Sequence, residues 1–239
     1  MNWLSALFRR NTTPVAALSP EQGQALSDWR EQAAGSLDLP HARQRYVVVD
    51  VETSGLDVRR DRLIAIGAVA VNGGLVDFSD AFQIVLHQTE ASSTDNILIH
   101  GIGAGEQSTG VAPVDALLAF LAFVGKSPLV AYHAFFDQAM IEKTARLHLG
   151  IGLDLPFIDL AWVLPDLVPN FRQDGRVALD DWLAHFQIGN IQRHNAVSDA
   201  YATACLLQIA CARGSAKGAD TAESFVSIER ARRWMFQSR

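Results

Sequence analysis

The stretch VVVDVETSGLD, residues 47–57, decides how this chain of 239 residues is read. Its valines suit a buried β-strand, in which alternate side chains share a face. Asp50 and Glu52 therefore point the same way from the strand end, while Val49 and Val51 point oppositely. Two anions held that close repel, and desolvation raises the cost further. A bound cation would remove the conflict. Taken alone, the pair is also what an ordinary acidic strand end looks like, with Thr53-Ser54-Gly55 as a polar turn whose glycine suits a positive φ. Acidic residues elsewhere in the chain have to decide between the two.

The chain around this strand has the composition of an ordinary globular protein, 49% hydrophobic and 19% charged. Its length suits one large domain with a small extension. Residues 1–44 are expected to form an N-terminal helical extension, with Ser19-Pro20-Glu21 starting a helix and Leu26 and Trp29 giving its apolar stripe. Trp3, Leu4, Leu7 and Phe8 are expected to dock on the protein's own surface. Residues 45–212 form the main domain, and residues 213–239 a basic helical tail through Arg230, Arg232 and Arg233. No run approaches the roughly 18 apolar residues of a membrane span, and the first ten residues lack a secretory pattern. Cys205 and Cys211 do not share a helix face within bonding reach, so reduced thiols and a cytoplasmic setting are expected.

The strand at 47–52 is followed by an apolar run at 62–71, a turn at Asn72-Gly73-Gly74 and an alternating run at 75–86, which together predict a three-strand meander. Helical patterns at 113–124, 135–149, 179–186 and 198–212 are interleaved with short strands at 129–131 and 157–158, and another helix follows Asp159. This order predicts an α/β fold, a mixed sheet with helices on both faces. The glycine-rich HGIGAGEQSTG, residues 100–110, matches neither the dinucleotide fingerprint nor a P-loop.

Further carboxylates fall at telling places. Asp137 stands at the start of a helix that follows a strand. Asp199 stands in the first turn of another, with Ser198 as its expected cap, and His194 precedes it by five residues. A formal charge of −6 argues against a protein that coats nucleic acid electrostatically. It leaves room for an enzyme whose bound cations offset part of that charge, with Arg59, Arg60, Arg62, Arg172, Arg176 and Arg193 available to phosphates.

Asp50-x-Glu52, Asp137 in its strand-to-helix setting, and His194-x-x-x-x-Asp199 together resemble the three motifs of the DEDDh 3′–5′ exonucleases, the superfamily that includes the proofreading ε subunit of bacterial DNA polymerase III. Ile99-His100-Gly101-Ile102 is similar to a segment often found between the first two motifs, and the resemblance covers about residues 45–212. It departs from the family in the second motif, where His133 stands in place of the usual Asn. The resemblance implies a ribonuclease H-like sheet of five strands and two divalent cations, Mg²⁺ or Mn²⁺, held by Asp50, Glu52, Asp137 and Asp199. It implies His194 as general base, and Thr53, Gly55, Leu56, His100, Ile102, His133 and Phe136 as substrate contacts.

The activity so implied is stepwise hydrolysis of single-stranded or frayed DNA from its 3′ end to nucleoside 5′-monophosphates. The alternatives are an exoribonuclease, since the 2′-OH contact that separates the two is not legible here, and an inactive nucleic-acid-binding protein. Retention of all four carboxylates and His194 disfavours the second. The short tail favours a free-standing enzyme, and association with a polymerase is left open.

Overall fold

A computed structural model describes residues 17–171, 177–189 and 192–237. Residues 3, 4, 7 and 8, and the arginines at 172 and 176, lie outside the described residues. Five strands form one sheet: β1 (Arg45–Thr53), β2 (Leu63–Asn72), β3 (Leu75–Val85), β4 (Leu129–Ala131) and β5 (Phe157–Asp159). Their order is β3-β2-β1-β4-β5, antiparallel through β1 to β3 and parallel from β1 to β4 and from β4 to β5. This is the mixed ribonuclease H-like sheet that the motifs imply.

The pleat of β1 sorts the core into two layers. Val47, Val49 and Val51 pack against α4 (Pro113–Val124) and α5 (Phe135–His148). Tyr46 and Val48 face the opposite way, toward α6 (Leu160–Leu167), α7 (Leu179–Phe186) and α8 (Ala196–Ala216). Asp50 and Glu52 continue this second row, so they emerge under α8. A final helix, α9 (Ala222–Gln237), packs on α6 and β5.

The expected N-terminal helix is α1 (Pro20–Glu31), with Ser19 and Gln22 forming a reciprocal capping box. Leu26 and Trp29 are buried, and the Trp29 indole donates to the Gly125 carbonyl at 2.8 Å. Two short helices, α2 (Thr94–His100) and α3 (Ala104–Thr109), occupy a stretch with no periodic apolar signal. Gly101, at φ +75°, ends α2 in the left-handed region. Helix α8 starts two residues before the predicted 198 and runs on to 216. Asn195, not Ser198, caps it, its side chain accepting from the Ser198 N–H at 3.2 Å.

Candidate active site

β1 and β4 run parallel, and the site lies beyond their carboxyl ends, where the sheet opens. β4 is only three residues long, so the Val51 N–H extends past its last pairing partner. The Asp137 carboxylate accepts that N–H at 3.1 Å. One buried backbone donor thus fixes the first turn of α5 against the end of β1.

Asp199 arrives from the other layer. Asp50 pairs with Gly67 across β1 and β2, and α8 crosses the sheet at this point. A Cβ on Gly67 would stand 2.2 Å from the Val197 nitrogen and 2.3 Å from the Ala196 carbonyl carbon. Only a glycine lets the first turn of α8 settle on β2 and bring Asp199 over Asp50. His194 sits just outside the helix at φ +59°, exposed, with its N–H on Asp199 Oδ2 at 3.0 Å.

His133 also has positive φ, +58°, and its N–H bonds to Asp159 Oδ1 at 2.9 Å. Asn, Asp and His are the side chains enriched in that left-handed region. The exchange of the usual Asn for His133 therefore keeps a residue suited to the turn that launches α5. Asp159 caps α6, accepting from the Ala161 N–H at 3.1 Å. Its second oxygen pairs with the Arg233 guanidinium at 2.8 Å, and Arg233 also reaches Glu229 at 2.8 Å. Glu229 in turn accepts the Asp159 N–H at 2.8 Å. Helix α9 thus supports the turn behind Asp137.

The carboxylates oppose one another's ionisation. Burial, then the charges of Asp137, Glu52 and Asp199, hold the Asp50 carboxyl well above its usual range. Burial, then the charges of Asp199 and Asp137, push Glu52 up to about 8. Burial pushes Asp137 up to about 8, against the pull of the backbone N–H groups it accepts. Neither Asp50 nor Glu52 has a hydrogen bond or ion-pair partner among the described residues. The nearby cation is Arg193, which binds Asp199 at 2.5 Å and Asp180 at 2.8 Å and offsets part of the charge on Asp50 and Glu52. Such an anionic, oxygen-only donor set, poorly compensated by protein cations, fits hard divalent ions. Among the described residues no three His, Cys, Asp or Glu side chains are grouped tightly enough to hold an ion as they stand.

The turn after β1 is built as a projecting edge. Thr53 is buried and donates to the Gly55 carbonyl at 2.7 Å. Asp61 accepts from the Ser54 hydroxyl at 2.9 Å and the Asp57 N–H at 2.8 Å, leaving no space for a side chain at Gly55. Leu56 stands 87% exposed at its tip. Leu98 and Ile99 are exposed on α2, which is tied to the turn by the Asn96 amide donating to the Thr53 carbonyl at 2.9 Å.

Several residues counted as substrate contacts or phosphate ligands are placed otherwise. His100 is buried, bonded to Asn96 at 2.8 Å and accepting the Ile102 N–H at 2.9 Å. Ile102 is buried on Ile64 and Ala65. Both hold α2 and its exit to the sheet. Phe136 is half-buried against the first core layer, whereas His133 is exposed. Arg193 is engaged by two carboxylates, and Arg62 binds the Gln88 side chain at 3.1 Å and the Glu90 carbonyl at 2.8 Å. Arg59 and Arg60 are exposed.

Sequence reasoning gave no part in the site to Gly67, Asp61, Asp159 or Arg233. The first had a signal, a lone glycine inside the apolar LIAIGAVAV.

Comparison with known proteins bears on the family and the fold. The family model RNase_T, described as an exonuclease, matches residues 47–207. The PolC-type DNA polymerase III of Clostridium perfringens is 34% identical over 170 residues, covering 68% of this chain. That of Bacillus subtilis is 31% identical over 165 residues, covering 69%. In each case the chain spans only 11% of the relative's length. Among solved structures, E. coli Exonuclease I in complex with a dT13 oligonucleotide aligns with TM-score 0.59 at 16% identity, over 72% of this chain and 42% of that one. Exonuclease X in complex with 5′ overhanging duplex DNA aligns with TM-score 0.59 at 19% identity, over 77% of this chain and 99% of that one. At these identities the structures bear on the fold.

Proposed function

The chain belongs to the RNase_T exonuclease family, and from that premise we propose that it hydrolyses single-stranded or frayed DNA from the 3′ end, releasing nucleoside 5′-monophosphates. The observation that carries the reading is Asp50, held under three other carboxylates with no hydrogen-bonded or ion-paired partner of its own among the described residues. Family members use divalent metal ions. We assign two, Mg²⁺ or Mn²⁺, to Asp50, Glu52, Asp137 and Asp199. Ions held there would supply Lewis-acid activation of water and charge stabilisation at the leaving oxygen.

The chain's own groups supply the rest. His194, exposed beside Asp199 and anchored by its backbone, takes the proton of the attacking water as its oxygen bonds to phosphorus. The bond to the upstream 3′ oxygen breaks and that oxygen takes a proton from solvent, leaving a new 3′-OH on the strand and a free 5′-monophosphate. The Asp61-stapled turn seats the terminal nucleotide, with Leu56 offering an apolar edge against the base. Apolar contact reads no hydrogen-bond pattern, so base preference is weak. DNA is the substrate favoured here because the relatives matched are DNA polymerases.

The test is a time course on matched 3′- and 5′-labelled DNA and RNA strands with Mg²⁺, Mn²⁺ or chelator. Metal-dependent shortening of the 5′-labelled DNA, one nucleotide at a time, supports the reading. Faster loss of RNA moves the assignment to an exoribonuclease.

A further inference from the structure

Helix α9 lies outside the stretch matched by the family model, yet it forms one wall of a cavity of about 760 Å³ against the start of α5. Phe135 and Gln138 line the α5 side, and Arg230 and Trp234 the α9 side. We infer that this groove is a second nucleic-acid subsite, receiving the nucleotides immediately 5′ of the scissile phosphate in a strand whose 3′ end lies at the carboxylates. The inference rests on the exonuclease reading above.

Three features select that occupant. Phe135 is 42% exposed and Trp234 is 70% exposed, two aromatic faces from separate elements on one groove. Bases stack on such faces irrespective of sequence. Arg230 is exposed and has no ion pair among the described residues, whereas its neighbour Arg233 is held by Asp159 and Glu229. The groove thus offers one uncompensated positive charge between aromatic walls, on a chain whose formal charge is −6. Last, the groove and the candidate site share the first turn of α5, where Ala134 and Phe135 line the groove and Asp137 stands two residues further on. Phe135 and Asp137 stand about 200° apart on that turn, at about 100° per residue. A strand leaving the carboxylates crosses the N-terminal end of this 14-residue helix to reach the groove, and that end favours phosphate.

The test uses the full chain and two variants at exposed positions of α9, Trp234→Ala and Arg230→Glu, with thermal melting to verify folding. Substrates are the p-nitrophenyl ester of thymidine 5′-monophosphate, too short to enter the groove, and oligothymidylates from the dinucleotide upward. For the parent, KM should fall as the strand lengthens. Each variant should raise KM on the longer strands by about 5- to 100-fold, leaving kcat and the ester unchanged. Affinity for a long oligothymidylate in chelator should fall by the same factor. Ester hydrolysis by the parent upholds the active-site reading whatever the groove does. Parental KM on long strands in both folded variants, as expected if the groove served a protein partner, overturns the groove alone.

Discussion

At Asp50, the proposed function and stability pull in opposite directions. The group sits where its charge is opposed by burial and by three neighbouring acids, so removing that charge should help the metal-free fold. Asp50→Asn is expected to abolish hydrolysis while raising the melting temperature in chelator by about 2–8 °C, the equivalent of about 1–2 kcal/mol. A melting curve and an activity assay on the same preparation check both halves. Asp199 differs, because Arg193 already compensates it and its exchange for Asn forfeits that pair. His194→Ala is expected to cost about 10²–10⁴ in rate without loss of fold. Single-turnover rates across pH separate this from a binding role, in which KM alone would move.

Helix α8 owes its position to one glycine on the neighbouring strand. Gly67→Ala forces a Cβ into the backbone of Ala196 and Val197, neither of which is a flexible side chain that can yield. The substitution is expected to destabilise by about 1–3 kcal/mol and to reduce turnover far more than stability explains, because α8 carries Asp199 away from Asp50 as it shifts. Denaturant unfolding set against kcat measures the two effects. The strands and long helices were legible because their apolar residues recur with the periods of β and α structure, as in Val47, Val49 and Val51. Motif spacing singled out the four carboxylates, which the fold brings near one another, and His194, whose N–H reaches Asp199. Helices α2 and α3 were not, since seven- and six-residue elements built on polar side chains such as Asn96, His100 and Gln107 leave no periodic apolar trace. The pairing of Asp159 with Arg233 was equally hidden, because it joins residues 74 apart and only the closed fold brings them together. His100 looked like a surface contact because a sequence does not show which polar side chains the core consumes.

Across the whole molecule, the carboxylate cluster ties stability to pH and, on the proposed function, to cations. Glu52 and Asp137 keep their protons up to about 8 in the folded chain, whereas the unfolded chain releases them in the ordinary carboxylate range. The folded state then binds more protons, so stability in chelator should fall as pH rises from about 4 to about 8. Mg²⁺ or Mn²⁺ should restore it at the upper end of that window, because ions bind the ionised form. Melting temperatures across pH with and without metal report this directly. Helix α9 adds a second long-range dependence. Arg233→Ala leaves the buried Asp159 carboxylate without its guanidinium, and is expected to cost about 2 kcal/mol in denaturant unfolding, reduced by the partial exposure of Arg233. The central claim is that the four carboxylates and His194 work as one 3′-end hydrolytic site. Its most direct test is a 5′-labelled single DNA strand, followed at nucleotide resolution alongside a circular strand, with the parent and Asp50→Asn in Mg²⁺ or Mn²⁺. The account predicts a ladder of one-nucleotide steps from the 3′ end by the parent, an intact circle, and no products from Asp50→Asn. Internal cuts in the circle, or parental turnover by Asp50→Asn, would contradict it.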